Sequence, residues 1–254
     1  TNNSQISSGF ISDINWDFGD GNTSSLSDPV HYYTSPGSYT VTLRVGSDQV
    51  CEDVIAKTIV VNPKPIADFI ASPVCDGSPI LFVDNSNVPT GVVNGWYWEF
   101  GDGSFSSTQQ PNHQYANPGI YNVSLVASTD KGCSDTLNRS TTINDIPQAG
   151  FTVANACLGS PVVFNDTTSG TAGAITNWAW NFGDGLTSST QNPTHTYNST
   201  GTYTVSLIVS NANGCIDTVN RSVNVFPVPN ANFSSNDVCL NGSTNFFDQS
   251  QIVG

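Results

Sequence analysis

The chain has 254 residues, of which 37% are hydrophobic and 10% are charged, and its formal net charge is −14. This length allows one large domain or about two to three small ones, with enough apolar residues to form their cores. Because phosphate backbones and anionic membrane surfaces repel such a chain, we expect no nucleic-acid partner and no membrane insertion of this segment.

The first predicted element is a strand that contains a tryptophan. Ile14, Trp16 and Phe18 alternate with polar residues, as in a strand with one buried face. The Gly-Asp-Gly sequence that follows predicts a tight turn, since glycine allows positive φ and aspartate binds the local backbone. A second alternating strand, GSYTVTLRV, begins about eighteen residues later, counted along the sequence.

These elements recur at a constant spacing along the chain. FGDG motifs begin at Phe18, Phe100 and Phe182, so each copy starts 82 positions after the one before it. Two series of cysteines keep the same spacing. One series is Cys51, Cys133 and Cys215, and the other is Cys75, Cys157 and Cys239.

Proline-containing segments at the same spacing mark the predicted boundaries between repeats. We predict a first repeat at 1–63 that lacks its N-terminal strands, complete second and third repeats at 64–146 and 147–228, and a final segment at 229–254 that begins a further repeat. We therefore interpret the sequence as an internal piece of a longer chain. Short strands between frequent turn signals predict an all-β fold of tandem immunoglobulin-like sandwiches in a linear array.

The repeats resemble PKD (polycystic kidney disease) domains. That family's signature is W-x-F-G-D-G, then P-x-H-x-Y, then G-x-Y-x-V-x-L-x-V, and here it reads WDFGDG, PVHYY and GSYTVTLRV in the first repeat. The second and third repeats carry all three motifs as well. The motif residues are Trp16, Trp98, Trp180, Asp20, Asp102, Asp184, His31, His113, His195, Tyr39, Tyr121 and Tyr203.

A narrower resemblance comes from a C-x-G-S-P opening combined with a late G-C-x-D-T, as in CLGSPVVF and GCIDTV. This pair resembles repeats of giant Bacteroidota surface proteins, including the SprB-type adhesins of gliding cells. The resemblance implies an extracellular location on a bacterial cell surface. It also implies as partners the neighbouring repeats, other copies of the protein, surface polysaccharide, or the outer-membrane secretion and motility machinery.

The cysteines predict disulfides within repeats. We expect Cys75 to bond Cys133 and Cys157 to bond Cys215, with the same sequence separation in both pairs, in an oxidising compartment. Cys51 and Cys239 would find their partners outside this sequence. Zinc is disfavoured because C-x-x-C spacing is absent.

The sequence predicts no enzyme and no catalytic residue. His31, His113 and His195 hold one motif position in successive repeats, so we expect each to be a structural partner inside its own sandwich. A G-x-S-x-G nucleophile motif is absent. We expect carboxylates such as Asp102 to be turn residues.

We expect no cofactor, with calcium as the weaker alternative. Some PKD domains bind calcium through acidic residues in the loop before the tryptophan strand, but these loops read NSNVPTGVVNG and TTSGTAGAITN here. Asp84, Asp102 and Asp130 remain as oxygen ligands, yet Ala212 replaces Asp130 in the third repeat. Three Asp-Thr sequences resemble a Bacteroidota O-glycan acceptor pattern, which suggests glycosylation of Thr136, Thr167 and Thr218.

We therefore predict a mechanical function, in which a rigid stalk or filament presents an adhesin for surface attachment or gliding motility. The alternative is a spacer or carbohydrate-binding accessory module of a secreted polysaccharide hydrolase or protease. The outward position between the tryptophans holds Asn15, Tyr97 and Ala179 in turn, so the aromatic stripe of a sugar platform is not repeated. A third hypothesis is head-to-tail assembly by strand addition, because 229–254 corresponds to 65–90.

Overall fold

A computed structural model describes residues 3–5, 9–170 and 173–252, and among them it contains only strands and connecting segments. The predicted all-β fold is confirmed. The chain forms two compact units: the first consists of Thr1–Ala71, Leu81–Asn112 and Asn122–Ser140, and the second of Ser72–Ile80, His113–Tyr121 and Thr141–Gly254. The second repeat contributes segments to both units.

The first repeat forms one antiparallel sheet in the order β2-β1-β3-β4. Trp16 of β1 lies opposite Leu43 of β3. The strands are β1 (Ile11–Asp17), β2 (Thr23–Ser24), β3 (Gly37–Ser47) and β4 (Glu52–Val61).

The second repeat forms a five-stranded sheet in the order β10-β9-β12-β13-β6 and two short strand pairs, β5 with β8 and β7 with β11. Its strands are β5 (Phe69–Ile70), β6 (Val74–Cys75), β7 (Ile80–Leu81), β8 (Val83–Asp84), β9 (Val93–Glu99), β10 (Phe105–Ser106), β11 (Asn112–His113), β12 (Gly119–Thr129) and β13 (Ser134–Asn144).

The third repeat has the same arrangement, with a sheet in the order β15-β22-β21-β18-β19 and the pairs β14 with β17 and β16 with β20. Its strands are β14 (Phe151–Thr152), β15 (Ala156–Cys157), β16 (Pro161–Val163), β17 (Asn165–Asp166), β18 (Ile175–Asn181), β19 (Thr187–Ser188), β20 (Thr194–Thr196), β21 (Gly201–Asn211) and β22 (Ile216–Phe226). The final segment has β23 (Pro229–Asn230), β24 (Phe233–Ser235), β25 (Phe246–Asp248) and β26 (Gln251–Ile252).

The third repeat shows how alternation produces a core. Every second side chain of β21 faces inward, so that Val205, Leu207 and Val209 are fully buried. On the opposite side, Phe151 and Phe164 pack against Trp180, with ring centroids 5.0 and 5.5 Å from its ring. Aromatic burial of this kind stabilises a sandwich by about 1.5–3 kcal/mol per side chain.

The Gly-Asp-Gly turn requires its first glycine. Gly183 has a φ of +84°, and a Cβ atom there would lie 2.6 Å from the carbonyl oxygen of Thr204. A side chain would therefore collide with β21, which explains why the tryptophan strand is closed by glycine in every repeat.

The predicted disulfides Cys75–Cys133 and Cys157–Cys215 are wrong, because the structure bonds Cys75 to Cys215, with their Cα atoms 5.6 Å apart. In the third repeat, Cys157 pairs with Phe226 at the end of β22, whereas Cys215 precedes the start of that strand. The length of that strand separates the two positions by about 35 Å, far beyond the reach of a disulfide. Cys133 and Cys157 are free thiols, as are Cys51 and Cys239.

Candidate functional site

The histidines of the first and third repeats lie in an aromatic cluster at the Gly-Asp-Gly turn. His195 is buried, its Nε2 lies 2.7 Å from Oδ2 of Asp184, and its ring stacks on Phe182 at 4.2 Å between centroids. His31 makes the matching hydrogen bond to Asp20 at 2.8 Å. Each of these histidines therefore connects the turn to the core of its own repeat.

Titration behaviour in this cluster follows from burial and hydrogen bonding. Burial raises the pKa of Asp184, but hydrogen bonds from the Leu186 backbone and from His195 outweigh it, and the pKa lies below its ordinary value. Burial, followed by the charge of Asp184 and the neighbouring Tyr203, raises the pKa of Tyr197 to about 12. The Tyr197 hydroxyl donates to the carbonyl of Phe182 at 3.0 Å, which is a structural contact.

The motif tryptophans and tyrosines also donate hydrogen bonds to carbonyl groups of their own repeats. The buried Trp98 and Trp180 donate from Nε1 to the carbonyls of Thr108 and Thr190, each at 2.9 Å. Partly exposed Trp16 donates to Leu26 at 3.2 Å. Three motif tyrosine hydroxyls each donate at 2.9 Å to a carbonyl four residues earlier: Tyr39, Tyr121 and Tyr203.

Of the carboxylates considered for calcium, Asp84 and Asp102 already accept hydrogen bonds, and Asp130 pairs with Lys131 at 3.0 Å. Oδ2 of Asp84 accepts from Nε1 of Trp96 at 2.7 Å and from Nε2 of Gln109 at 3.2 Å. Asp166 has the equivalent contacts, and although burial raises its pKa, hydrogen bonds from Thr168 and other donors hold it below its ordinary value. Within 3–5, 9–170 and 173–252, no three His, Cys, Asp or Glu side chains are arranged to hold a metal ion.

The aspartates of two candidate glycosylation sequences hold the linkers between repeats. Oδ2 of Asp135 accepts from the backbone nitrogen of Ala67 at 3.0 Å, and Oδ2 of Asp217 accepts from Ala149 at 2.8 Å. These carboxylates thus have a structural role without a glycan. Glycosylation stays a prediction for the three exposed threonines Thr136, Thr167 and Thr218.

One exposed aromatic pair occurs in the second repeat. Tyr97 is 44% exposed and Phe105 is 70% exposed, with ring centroids 6.1 Å apart. Ala179 and Thr187 occupy these positions in the third repeat, so this pair is not repeated there.

The strongest connection between repeats is built around Cys75, within the second compact unit. Cys75 lies on β6, which pairs in parallel with the end of β13 at Asn144. Asp76 then donates its backbone N–H to the Asn144 carbonyl at 2.7 Å. From this edge of the second repeat the disulfide reaches Cys215, which is 1% exposed and belongs to the third repeat.

Asn211 reinforces the same junction from the turn between β21 and β22. Its buried side chain accepts from the backbone nitrogens of Asn213 and Cys215 through Oδ1, both at 3.0 Å. Its Nδ2 donates to the carbonyl of Asp145 at 3.2 Å. One side chain therefore fixes the turn that carries Cys215 and binds that turn to the linker between the repeats.

The sequence analysis did not predict this disulfide, because the same cysteines are available in either pairing scheme. A link inside one repeat and a link between neighbouring repeats fit the constant spacing of the cysteines equally well. Ser47 and Thr129 occupy the position of Asn211 in the earlier repeats, so the repeat pattern did not single out Asn211.

The PKD domain family model matches residues 1–61, 62–144 and 144–226. The chain belongs to the PKD domain family. This confirms the resemblance drawn from the three ordered motifs. Among the residues that the structure describes, no helix has the length and hydropathy needed to cross a membrane.

Similar proteins include a pre-pro-metalloprotease PrtV of Vibrio cholerae, 27% identical over 172 residues that cover 66% of this chain and 18% of that protein. A microbial collagenase of Vibrio alginolyticus is 38% identical over 69 residues, covering 27% of this chain and 8% of that one. The crystal structure of the PKD1 domain of Vibrio anguillarum Epp has 33% identity and a TM-score of 0.30, covering 32% of this chain and 95% of that domain. The chain thus spans less than a fifth of either curated relative.

Proposed function

We propose that this chain is a load-bearing spacer, in which PKD repeats cross-linked to one another hold an adhesin away from a bacterial surface during attachment or gliding. The observation that supports the proposal best is the disulfide between Cys75 and Cys215, which joins two different repeats. A bond inside one repeat would stabilise that repeat alone. A bond between repeats adds a second covalent connection beside the backbone linker and so limits bending at the junction.

The disulfide also changes how tension passes along the chain. Cys75 and Cys215 are 140 residues apart in sequence, so a force on the chain ends bypasses the residues between them. Most of the second and third repeats is thereby shielded from extension. Loop closure of this length stabilises the folded state by about 4–5 kcal/mol in the chain-entropy model.

Surface chemistry and redox chemistry agree with an extracellular location. Structural disulfides form and persist outside the reducing cytosol. The net charge of −14 keeps neighbouring identical repeats soluble at high local concentration.

The test is single-molecule force extension of the whole chain, tethered at both ends, with and without reductant. We expect reductant to release an additional contour length of about 460–500 Å, which corresponds to the 140-residue separation at full extension. The Cys75→Ser variant should show the reduced behaviour without reductant.

The matched control is Cys157→Ser, which removes the equivalent cysteine of the third repeat. Cys157 is a free thiol, so this variant should extend like the unaltered chain. Equal extension with and without reductant would contradict the load-bearing role.

A second candidate function is an accessory module of a secreted protease, because the relatives include a metalloprotease and collagenases. The exposed Tyr97–Phe105 pair is a surface suited to a polymeric substrate, since aromatic faces stack on sugars and apolar side chains. Cosedimentation of the whole chain with fibrillar collagen and with insoluble polysaccharide tests this candidate. Retention that Tyr97→Ala weakens several-fold would support it, and no retention on either polymer would contradict it.

A further inference from the structure

We infer that Cys133 and Cys157 are preformed halves of two further inter-repeat disulfides, each completed by an adjoining PKD repeat that continues the same period. In the observed link, the early cysteine of one repeat bonds the late cysteine of the next. By the same rule, Cys157 takes the late cysteine of a following repeat. Cys133 bonds the early cysteine of the repeat directly before its own, one period before Cys75.

The backbone around Cys157 reproduces the setting of Cys75. Cys157 pairs in parallel with Phe226 at the end of β22, as Cys75 pairs with Asn144 at the end of β13. The next residue, Leu158, donates its N–H to the Phe226 carbonyl at 2.8 Å, which matches the contact of Asp76 in the preceding repeat. The exposed thiol of Cys157 therefore lies at the sheet edge from which the observed disulfide leaves the second repeat.

The surroundings of Cys133 reproduce the other half of the link. Its Sγ lies 3.9 Å from the carbonyl oxygen of Asn62, the residue one period before Asn144. The turn that carries it closes through the Thr129 N–H and the Cys133 carbonyl at 2.9 Å, as the next turn closes through Asn211 and Cys215 at 3.1 Å. Cys133 therefore lies beside the end of β4. At the next junction, Cys75 lies beside the equivalent end of β13.

Formation of each link is a two-electron oxidation and needs an electron acceptor. A small-molecule disulfide such as oxidised glutathione meets this need by two exchanges. The first protein thiolate attacks it, forms a mixed disulfide and releases one small thiol. The second protein thiolate then attacks that mixed disulfide and releases the other, so two protein thiols become one disulfide while the small disulfide becomes two thiols.

The links would overlap along an array, because Cys157 precedes Cys215 and each new loop begins before the previous one closes. Interior repeats would then lie within closed loops on both sides, and no linker between them could extend by itself. This inference rests on the proposed spacer function and deepens it. Its test reads disulfide connectivity instead of extension, so the two proposals can fail separately.

The test extends the whole chain after Gly254 with a copy of residues 173–228, which completes the repeat begun by the final segment. The appended copy of Cys215 then stands 140 residues after Cys157, at the spacing of the observed link. The copy carries Ile216→Val as a mass label. After oxidation with oxidised glutathione and alkylation of free thiols, a non-reducing peptide map should show Cys157 bonded to the appended cysteine, alongside Cys75 bonded to Cys215.

Two controls make the result specific. In the unextended chain we expect complete alkylation of Cys157, and in the extended chain Cys157→Ser should leave the appended cysteine fully alkylated. The Cys75–Cys215 peptide in the same map reports that the repeats have folded.

Two results would overturn the inference. One is a bond between the appended cysteine and Cys239 within one repeat, and the other is full alkylation of Cys157 in a map that contains the Cys75–Cys215 peptide. Either leaves the spacer proposal standing. The expected links combined with an extension insensitive to reductant would overturn the spacer proposal alone.

Discussion

The first and third repeats carry the same signature but differ in what covers the inner face of their main sheet. Trp180 is 1% exposed beneath Phe151 and Phe164, whereas Trp16 is only partly buried. Ile59 of the first repeat is 45% exposed, while Val223, its counterpart in the third repeat, is fully buried.

An open cavity of about 450 Å³ lies over the sheet of the first repeat, lined by residues that include Trp16, Val41, Leu43 and Ile55. In the third repeat, Phe151, Val162 and Phe164, on or beside β14, β16 and β17, belong to the buried core that contains Trp180. The signature motifs therefore specify the main sheet and its turns, and a separate set of apolar residues completes the sandwich. The final segment carries the counterparts of Phe151 and Phe164, which are Phe233 and Phe246, with ring centroids 5.8 Å apart.

The largest effect should come from removing the central tryptophan. Trp180→Ala should lower the local opening free energy of β21 and β22 by about 3–5 kcal/mol, because it leaves a cavity between the two layers. Trp16→Ala should cost clearly less in β3 and β4, since Trp16 is already partly solvated. Hydrogen exchange of the whole chain measures both changes, and equal losses in the two repeats would contradict the comparison.

The linker contact of Asp217 should have the next largest effect. Asp217→Ala should destabilise the third repeat by about 1–3 kcal/mol, because it leaves the Ala149 N–H without its 2.8 Å acceptor. The matched variant is Asp53→Ala in the first repeat, where the carboxylate accepts from the adjacent Val54 N–H at 2.9 Å. Urea unfolding should show little change for that variant, and a loss as large as that of Asp217→Ala would contradict the assigned role.

A smaller effect is expected at the position of Ile59, Thr141 and Val223. Among the described residues, Oγ1 of Thr141 is buried without a hydrogen-bond partner. Thr141→Val should therefore stabilise the second repeat by about 1 kcal/mol, and Val223→Thr should destabilise the third repeat by a similar amount or more. Hydrogen exchange in β13 and β22 checks both signs, and a destabilising Thr141→Val would show that the hydroxyl is satisfied.

The smallest effect is expected from a change of pH, and it concerns mainly the third repeat. The pKa values of Asp166 and Asp184 are lowered by folding, so their contribution to stability is present above the unfolded pKa near 4 and is lost as pH falls further. The pKa of Tyr197 is raised to about 12, so its contribution is present below about pH 10 and is lost between there and about pH 12. Urea midpoints measured across both ranges should fall at each end, and a rise in either range would contradict these directions.

Much of the fold could be predicted from the sequence, because alternation and the Gly-Asp-Gly turns act locally. Trp180 and Leu207 are both buried, as the alternation in their strands predicts. The disulfide pairing could not be predicted, because it depends on the two-residue strand β6, which places Cys75 at the far end of β13 from Cys133. So short a strand has no periodic signal, and a sequence with an unbroken period does not indicate which copy of a residue is the partner.

The most direct test of the inter-repeat link is a non-reducing peptide map of the unaltered chain, alkylated before digestion. We expect one disulfide-linked peptide pair that joins Cys75 to Cys215, with Cys51, Cys133, Cys157 and Cys239 alkylated. Peptide pairs that join Cys75 to Cys133 and Cys157 to Cys215 would contradict it. Each repeat would then be closed on itself, and the junction would be held by non-covalent contacts.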